Sequence, residues 1–156
     1  MSKPWVTLTR DMLISALSKR ERDDFGKAST LNPGDDRVPE ILEDLTAEIR
    51  NAVGNHSQNT LSAVDTAIPP EFKARALSVA RWRLLISIPN YTPGKSREVD
   101  FEKADAFFIK VTEGKIRPAP APDAIKTEVP LQQPEHGVQI VSAPGSRTGR
   151  ARMNGL

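Results

Sequence analysis

Few residues in this sequence could do chemistry. His56 and His136 are the only imidazoles, and they stand far apart without Asp or Glu at metal-ligand spacing. Both read as polar loop residues. Glu40, Glu43, Asp44 and Glu48 form an acidic set at helical spacing. Paired carboxylates can do acid/base work, but at this spacing they are more often a solvated helix face or the rim of a subunit contact. There is no glycine-rich phosphate loop, nucleophile elbow or zinc pattern, and without cysteine there is neither a thiolate ligand nor a disulfide framework. No catalytic, cofactor-binding or metal-binding residue is assigned, and neither a cofactor nor an enzymatic activity is expected. "NHS" at Asn55 and "NYT" at Asn90 match glycosylation sequons by chance, because "MSKPWVTLTR" lacks the apolar run of a signal peptide. No stretch nears the roughly 18 apolar residues of a membrane span.

Arg81 and Arg83 flank Trp82 in an apolar region, and Arg83 falls inside the apolar arc of a helical wheel. A buried guanidinium needs a partner, so one reading pairs Arg83 with an acid of the preceding helix or across a subunit contact. In the other, its stem packs and its head reaches water. Ile109 lies among charges on the outer side of a later helix, a pointer to a neighbour contact. Glu40, Glu43, Arg81, Arg83 and Ile109 are thus the candidate subunit-interface residues.

The elements that must position these residues are helical. Thr7 or Thr9 can cap a first short helix carrying Met12, Leu13, Ala16 and Leu17. "SKRE" at Ser18–Glu21 is a capping box, so a second short helix starts there and ends near Phe25-Gly26. "LNPGDD" is a turn. A third helix spans about Arg37 to Val53, with Val38, Leu42, Leu45, Ile49 and Val53 on its apolar face and Gly54-Asn55 as its stop. "NHSQNTLSAVDTA" is a loop. The fourth helix is expected to be the longest and central. It starts at Pro70, ends at Pro89, and carries Phe72, Ala76, Leu77, Val79, Ala80, Leu84, Ile86 and Ile88 on a wide apolar arc. Asp100 can cap a fifth, with Phe101, Ala104, Phe107, Phe108 and Val111 on one face and Gly114 at an αL C-cap. The fold class is all-α: a small bundle of about five helices over residues 1–116.

Residues 117–156 form an extended, Pro-rich arm. Six of the thirteen prolines follow Arg117, and "RPAPAP" favours polyproline-like geometry. Its large apolar residues are Ile125, Val129, Leu131, Val138, Ile140 and Val141. Ordering a residue costs roughly 1–2 kcal/mol and burying one aliphatic side chain returns roughly 1.5–3 kcal/mol, so these few cannot order the arm without a partner. "VQIV" either adds a strand to a partner's sheet edge or is an ordinary linker patch. Arg147, Arg150 and Arg152, with no acid nearby, fit an anchor on an acidic protein surface better than one on phosphate, because three arginines bind nucleic acid weakly at physiological salt. The other reading of them is a solubilising tail. These nine side chains are the candidate partner-binding residues of the arm.

Residues 1–116 hold seventeen Lys/Arg and seventeen Asp/Glu. A neutral body is a poor footprint for a nucleic-acid-binding domain. The rival reading, a small helical DNA-binding protein such as a terminase small subunit or a regulator, would use Lys73, Arg75, Arg81 and Arg83.

The order "LTRDMLISAL", "SKRERDDF", "ILEDLTAEIRNAV", "IPPEFKARALSVARWRLL" and "DFEKADAFFIKVTEGKI" over about residues 7–118 resembles the phage Mu gp36-like family and is similar in plan to the head–tail connector (adaptor) proteins of tailed phages. The resemblance implies a structural protein of the virion neck, made in the host cytoplasm. Such proteins form a homo-oligomeric, dodecameric ring below the portal that extends the DNA channel, through which DNA passes without specific binding. They link the capsid to the stopper or tail-completion protein, and their C-terminal segments grip the portal protein. Here the stretch after the third helix departs from the family's "LP" run, and the tail is longer than the family's.

Overall fold

The computed structural model describes residues 3–31 and 36–124. The fold is all-α, with helices α1 (Arg10–Ala16), α2 (Lys19–Leu31), α3 (Val38–Gly54), α4 (Lys73–Ser87) and α5 (Lys95–Thr112). The only sheet among the described residues pairs β1 (Val6–Thr7) with β2 (Ala67–Ile68), antiparallel, with Val6 opposite Ile68. A 3₁₀ turn, Pro70–Phe72, leads into α4.

Local signals set the helix ends. The Thr9 hydroxyl accepts from the Met12 amide at 3.4 Å to start α1. The capping box at α2 is reciprocal: the Ser18 amide donates to Glu21 Oε2 at 2.6 Å and the Glu21 amide to Ser18 Oγ at 3.3 Å. Pro89 follows the end of α4, where Ile88 turns to extended backbone. At the end of α5, Gly114 takes φ +72°. There the Gly114 amide donates to Val111 O and the Lys115 amide to Lys110 O, both at 2.9 Å. This is the paired bond pattern of a Schellman cap.

α4 is central in packing, against α1, α3 and α5. It is not the longest helix: it has 15 residues against 18 in α5. Leu45 and Ile49 of α3, Ala76, Ala80, Leu84 and Leu85 of α4, and Ala104 and Val111 of α5 meet in the core with Leu13, Ile68 and Phe72. Phe72 is fully buried, with its ring edge-on to Phe107 at 5.1 Å and Phe108 at 6.0 Å. Trp82 stacks on Phe101 at 5.3 Å. Such aromatic pairs each add about 0.5–1.5 kcal/mol beyond their buried area.

Several expectations are corrected. α2 runs past Phe25-Gly26 to Leu31. Gly26 is tolerated at about 1 kcal/mol because Phe25 and Ala28 on either side pack against the core. α5 starts at Lys95 with Gly94 as its N-cap, not at Asp100; the Asp100 carboxylate instead accepts from Arg81 at 3.2 Å. Ala67, expected in a loop, and Ile68, expected at the head of the fourth-helix stretch, form β2, because Ile68 is wholly buried and the pair finds backbone partners on β1. Ile86 is exposed, since it lies about 160° around α4 from both Leu84 and Ile88.

The arm begins at Arg117 as expected for an extended segment, but its first residues lie on the body as far as Asp123. The Ala119 amide donates to Glu71 Oε1 at 2.6 Å, and Trp5 Nε1 donates to Ala119 O at 3.4 Å. Ala121 is buried, and Asp123 Oδ2 accepts from Ser62 Oγ at 2.6 Å and the Ala63 amide at 3.2 Å. Alanines between the prolines let this segment approach closely, and the carboxylates of Glu71 and Asp123 accept the polar contacts. The arm residues Ile125, Val129, Leu131, Val138, Ile140, Val141, Arg147, Arg150 and Arg152, with His136 and "VQIV", lie outside the described residues.

Candidate functional site

The sequence-predicted residues fall into three places. Glu40, Glu43, Asp44 and Glu48 are charged residues of α3, a helix whose apolar face is held in the core by Leu42, Leu45 and Ile49. Glu40, Glu43 and Glu48 are exposed. Asp36 Oδ1 accepts from the Val38 amide at 3.2 Å at the start of this helix, and Asp36 also pairs with Arg10. Beside the acidic face is a groove of about 400 Å³ whose lining includes Leu8, Pro39, Leu42, Thr46 and Ala47, with Glu43 and Asp65 as its charged members. Its floor is apolar and its charges are anionic, so it suits an apolar side chain flanked by cations.

Arg83 pairs with an acid of the third helix, as one of the two sequence readings has it. Its Nη1 and Nη2 donate to Glu48 Oε1 and Oε2 at 3.0 and 2.6 Å, a bidentate contact within the chain. Arg81 donates to Ala16 O at 3.1 Å and to Asp100 at 3.2 Å. Burial pushes the Arg81 guanidinium down and the charge of Arg97 adds to this, while Asp100 and Glu21 oppose it. Arg75 places its guanidinium 4.0 Å from the centre of the Phe107 ring. Arg75, Arg81 and Arg83 are thus each engaged inside the chain. With Lys73 they make no free cationic stripe of the kind a groove-reading helix presents.

Sequence reasoning missed the ionic centre of the molecule. Arg97 Nε and Nη2 donate to the two oxygens of Glu21 at 2.7 and 3.0 Å. Burial pushes the Glu21 carboxyl up, but the Arg97 hydrogen bonds, the Ser18 amide and hydroxyl, and the Arg97 charge outweigh it and hold the group below the usual carboxylate range. The Glu21 hydrogen bonds raise the Arg97 guanidinium against the opposing effect of burial. The capping box marked Glu21 as structurally used; nothing local marked its partner.

Arg50 was also not singled out. Its guanidinium donates to Val64 O at 2.8 Å, Ala67 O at 2.9 Å and Ser62 O at 3.2 Å, tying the loop before β2 to α3. His56 Nε2 lies 2.9 Å from Thr112 O, so this histidine joins the end of α3 to the end of α5. The Ser62 hydroxyl, with the Ala63 and Val64 amides nearby, keeps the Asp123 carboxyl below its ordinary range.

Among the described residues no group of three or more His, Cys, Asp or Glu could hold a metal ion, and no helix is long and apolar enough to cross a membrane. Outward on the described body lie the α3 acidic face with its groove and the exposed Val64, Ile86 and Ile109. Set against protein-family models, curated proteins and solved structures, the chain matches none.

Proposed function

We propose that this chain is a non-enzymatic structural adaptor of a tailed bacteriophage. It forms a ring below the portal, extends the DNA channel and links the capsid to the stopper or tail, and its C-terminal arm grips the portal. The observation that carries this reading is how the charges of the body are spent. Arg50, Arg81, Arg83 and Arg97 are bound within the chain, while Glu40 and Glu43 face outward beside an apolar groove. An apolar groove edged by acids suits a protein neighbour better than phosphate, which those acids repel. The order of sequence pieces that resembles the adaptor families supports the same role. A small helical body followed by a long Pro-rich tail fits a multi-chain assembly, where many weak contacts act at high effective concentration.

The test is attachment to portal-bearing heads. Full-length chain should bind such heads and complete them for tail joining, and a chain cut after Ala124 should lose that binding. Unchanged binding by the cut chain removes the arm from the role. Tight, salt-sensitive DNA binding by the whole chain in a mobility-shift titration overturns the adaptor reading in favour of the DNA-binding one.

A further inference from the structure

Ile109 is 52% exposed on the outer side of α5. At about 100° per residue, Glu102, Asp105 and Glu113 lie within about 40° of it on the helix wheel. Glu113 pairs with Lys115 at 2.7 Å, whereas Glu102 and Asp105 have no ion-pair partner among the described residues. The outer face of α5 is therefore an apolar knob ringed by acids.

A second groove, of about 580 Å³, lies between α2 and the turn that joins α4 to α5. Ala28, Ile88 and Pro89 give it an apolar side, the rest of its lining is polar, and Arg20, Asp24 and Lys27 are its charged members. Both cations share Asp24, at 3.9 and 3.8 Å, so the groove keeps a net positive charge. It includes Thr92, just before α5 begins at Lys95. Ile109 lies about 21 Å further along the axis of that helix, and no residue of α5 lines the groove.

We infer that the Ile109 face of one copy docks into the Arg20–Lys27 groove of a second copy. The acids around Ile109 meet the cations of the groove, and the isoleucine meets its apolar side. The groove beside α3 is a poor seat for the same face, because Glu43 and Asp65 would repel Glu102 and Asp105. Knob and groove occupy different regions of one molecule, so the contact is heterologous: each copy offers one of each, and the contact repeats until it closes a ring or runs on as a filament. Its use in a virion neck rests on the adaptor reading; the pairing itself rests on charge and shape.

The absence of cysteine from the chain makes the test direct. Ala106→Cys stands beside Ile109 on the wheel, and Thr92→Cys stands at the groove. Full-length single variants, checked for wild-type melting, are mixed under mild oxidation and run on a non-reducing gel. The mixture should give a covalent dimer well above either variant alone. Asp105→Arg added to the first partner should lower its yield by about two- to fivefold, and Arg20→Asp in the second should restore it. A strong dimer from Ala106→Cys alone would mean a symmetric α5–α5 contact and would overturn the inference, as would a mixture giving none. Failure here with head attachment intact removes this contact and leaves the adaptor reading standing. Loss of head attachment by the unaltered chain, with the mixed dimer present, does the reverse.

Discussion

Arg97, in the first turn of α5, grips both carboxylate oxygens of Glu21, the residue that closes the capping box of α2. One acid thus starts one helix correctly and fixes the start of another. Removing only one partner of a buried pair leaves an uncompensated charge. Arg97→Leu should therefore lower unfolding stability by about 3 kcal/mol, read from chemical denaturation. Glu21→Leu combined with Arg97→Leu should recover part of that loss, the lost capping box accounting for the rest. A double-variant loss equal to the sum of the Glu21→Leu and Arg97→Leu losses would mean that the pair is not coupled.

The same pair sets a direction with pH. The Glu21 carboxyl is held below its ordinary value in the folded chain, while an unfolded glutamate titrates near about 4.3. The unfolded state then binds more protons between the two values, so this stabilisation is complete above about pH 4.3 and is lost as pH falls through the folded value. Urea midpoints taken from pH 7 to pH 3 should fall more steeply for the native chain than for the Glu21→Leu, Arg97→Leu double variant. Parallel curves would assign the acid sensitivity to other carboxylates.

Gly114 carries two constraints that separate cleanly. Its φ of +72° is costly for any residue with a Cβ, and a Cβ there would stand 2.7 Å from His56 Cε1. Gly114→Ala should destabilise by about 2 kcal/mol, combining left-handed strain with the displaced imidazole. Adding His56→Ala should relieve the crowding and leave the strain. His56→Ala should therefore cost less when made on top of Gly114→Ala than when made in the native chain. Additive costs would show that His56 moves aside freely.

The contacts after Arg117 predict different results for two truncations. A chain ending at Arg117 loses the Ala119 carbonyl over Trp5 Nε1, buried Ala121 and the Asp123 bonds to Ser62 and Ala63. A chain ending at Ala124 keeps them all. Tryptophan emission should shift to the red and melting should fall in the first truncation only. Matching spectra for both would detach this segment from the body.

What the sequence made legible was mostly local. The Ser18–Glu21 capping box, the Gly114 cap and the Pro89 stop act over a few residues, and each holds. Arg83 was legible only as one of two readings, an ion pair or a snorkelling stem, and the pair is made with Glu48 of the acidic helix before it. Asp100 misled because it is a good cap by type, yet Arg81 claims its carboxylate from another helix. β1 and β2 have two residues each and no alternation to read. The Arg50 clasp and the segment ending at Asp123 depend on partners separated by long stretches of chain, which no spacing rule connects. Of the candidate surfaces, the outward acids of α3 and the exposed Ile109 were visible as types at positions. The grooves that give them a geometry were not, because each is built from segments distant in sequence.

Asp123 holds Ser62 and Ala63, and Arg50 holds the Ser62, Val64 and Ala67 carbonyls from the C-terminal part of α3. These bonds define a load path. Tension applied to the chain beyond Ala124 enters the body through the Ser62 loop and passes by way of one guanidinium into a helix anchored in the core. A pull on the tail would therefore load the Asp123 and Arg50 bonds before it reaches the last turn of α5.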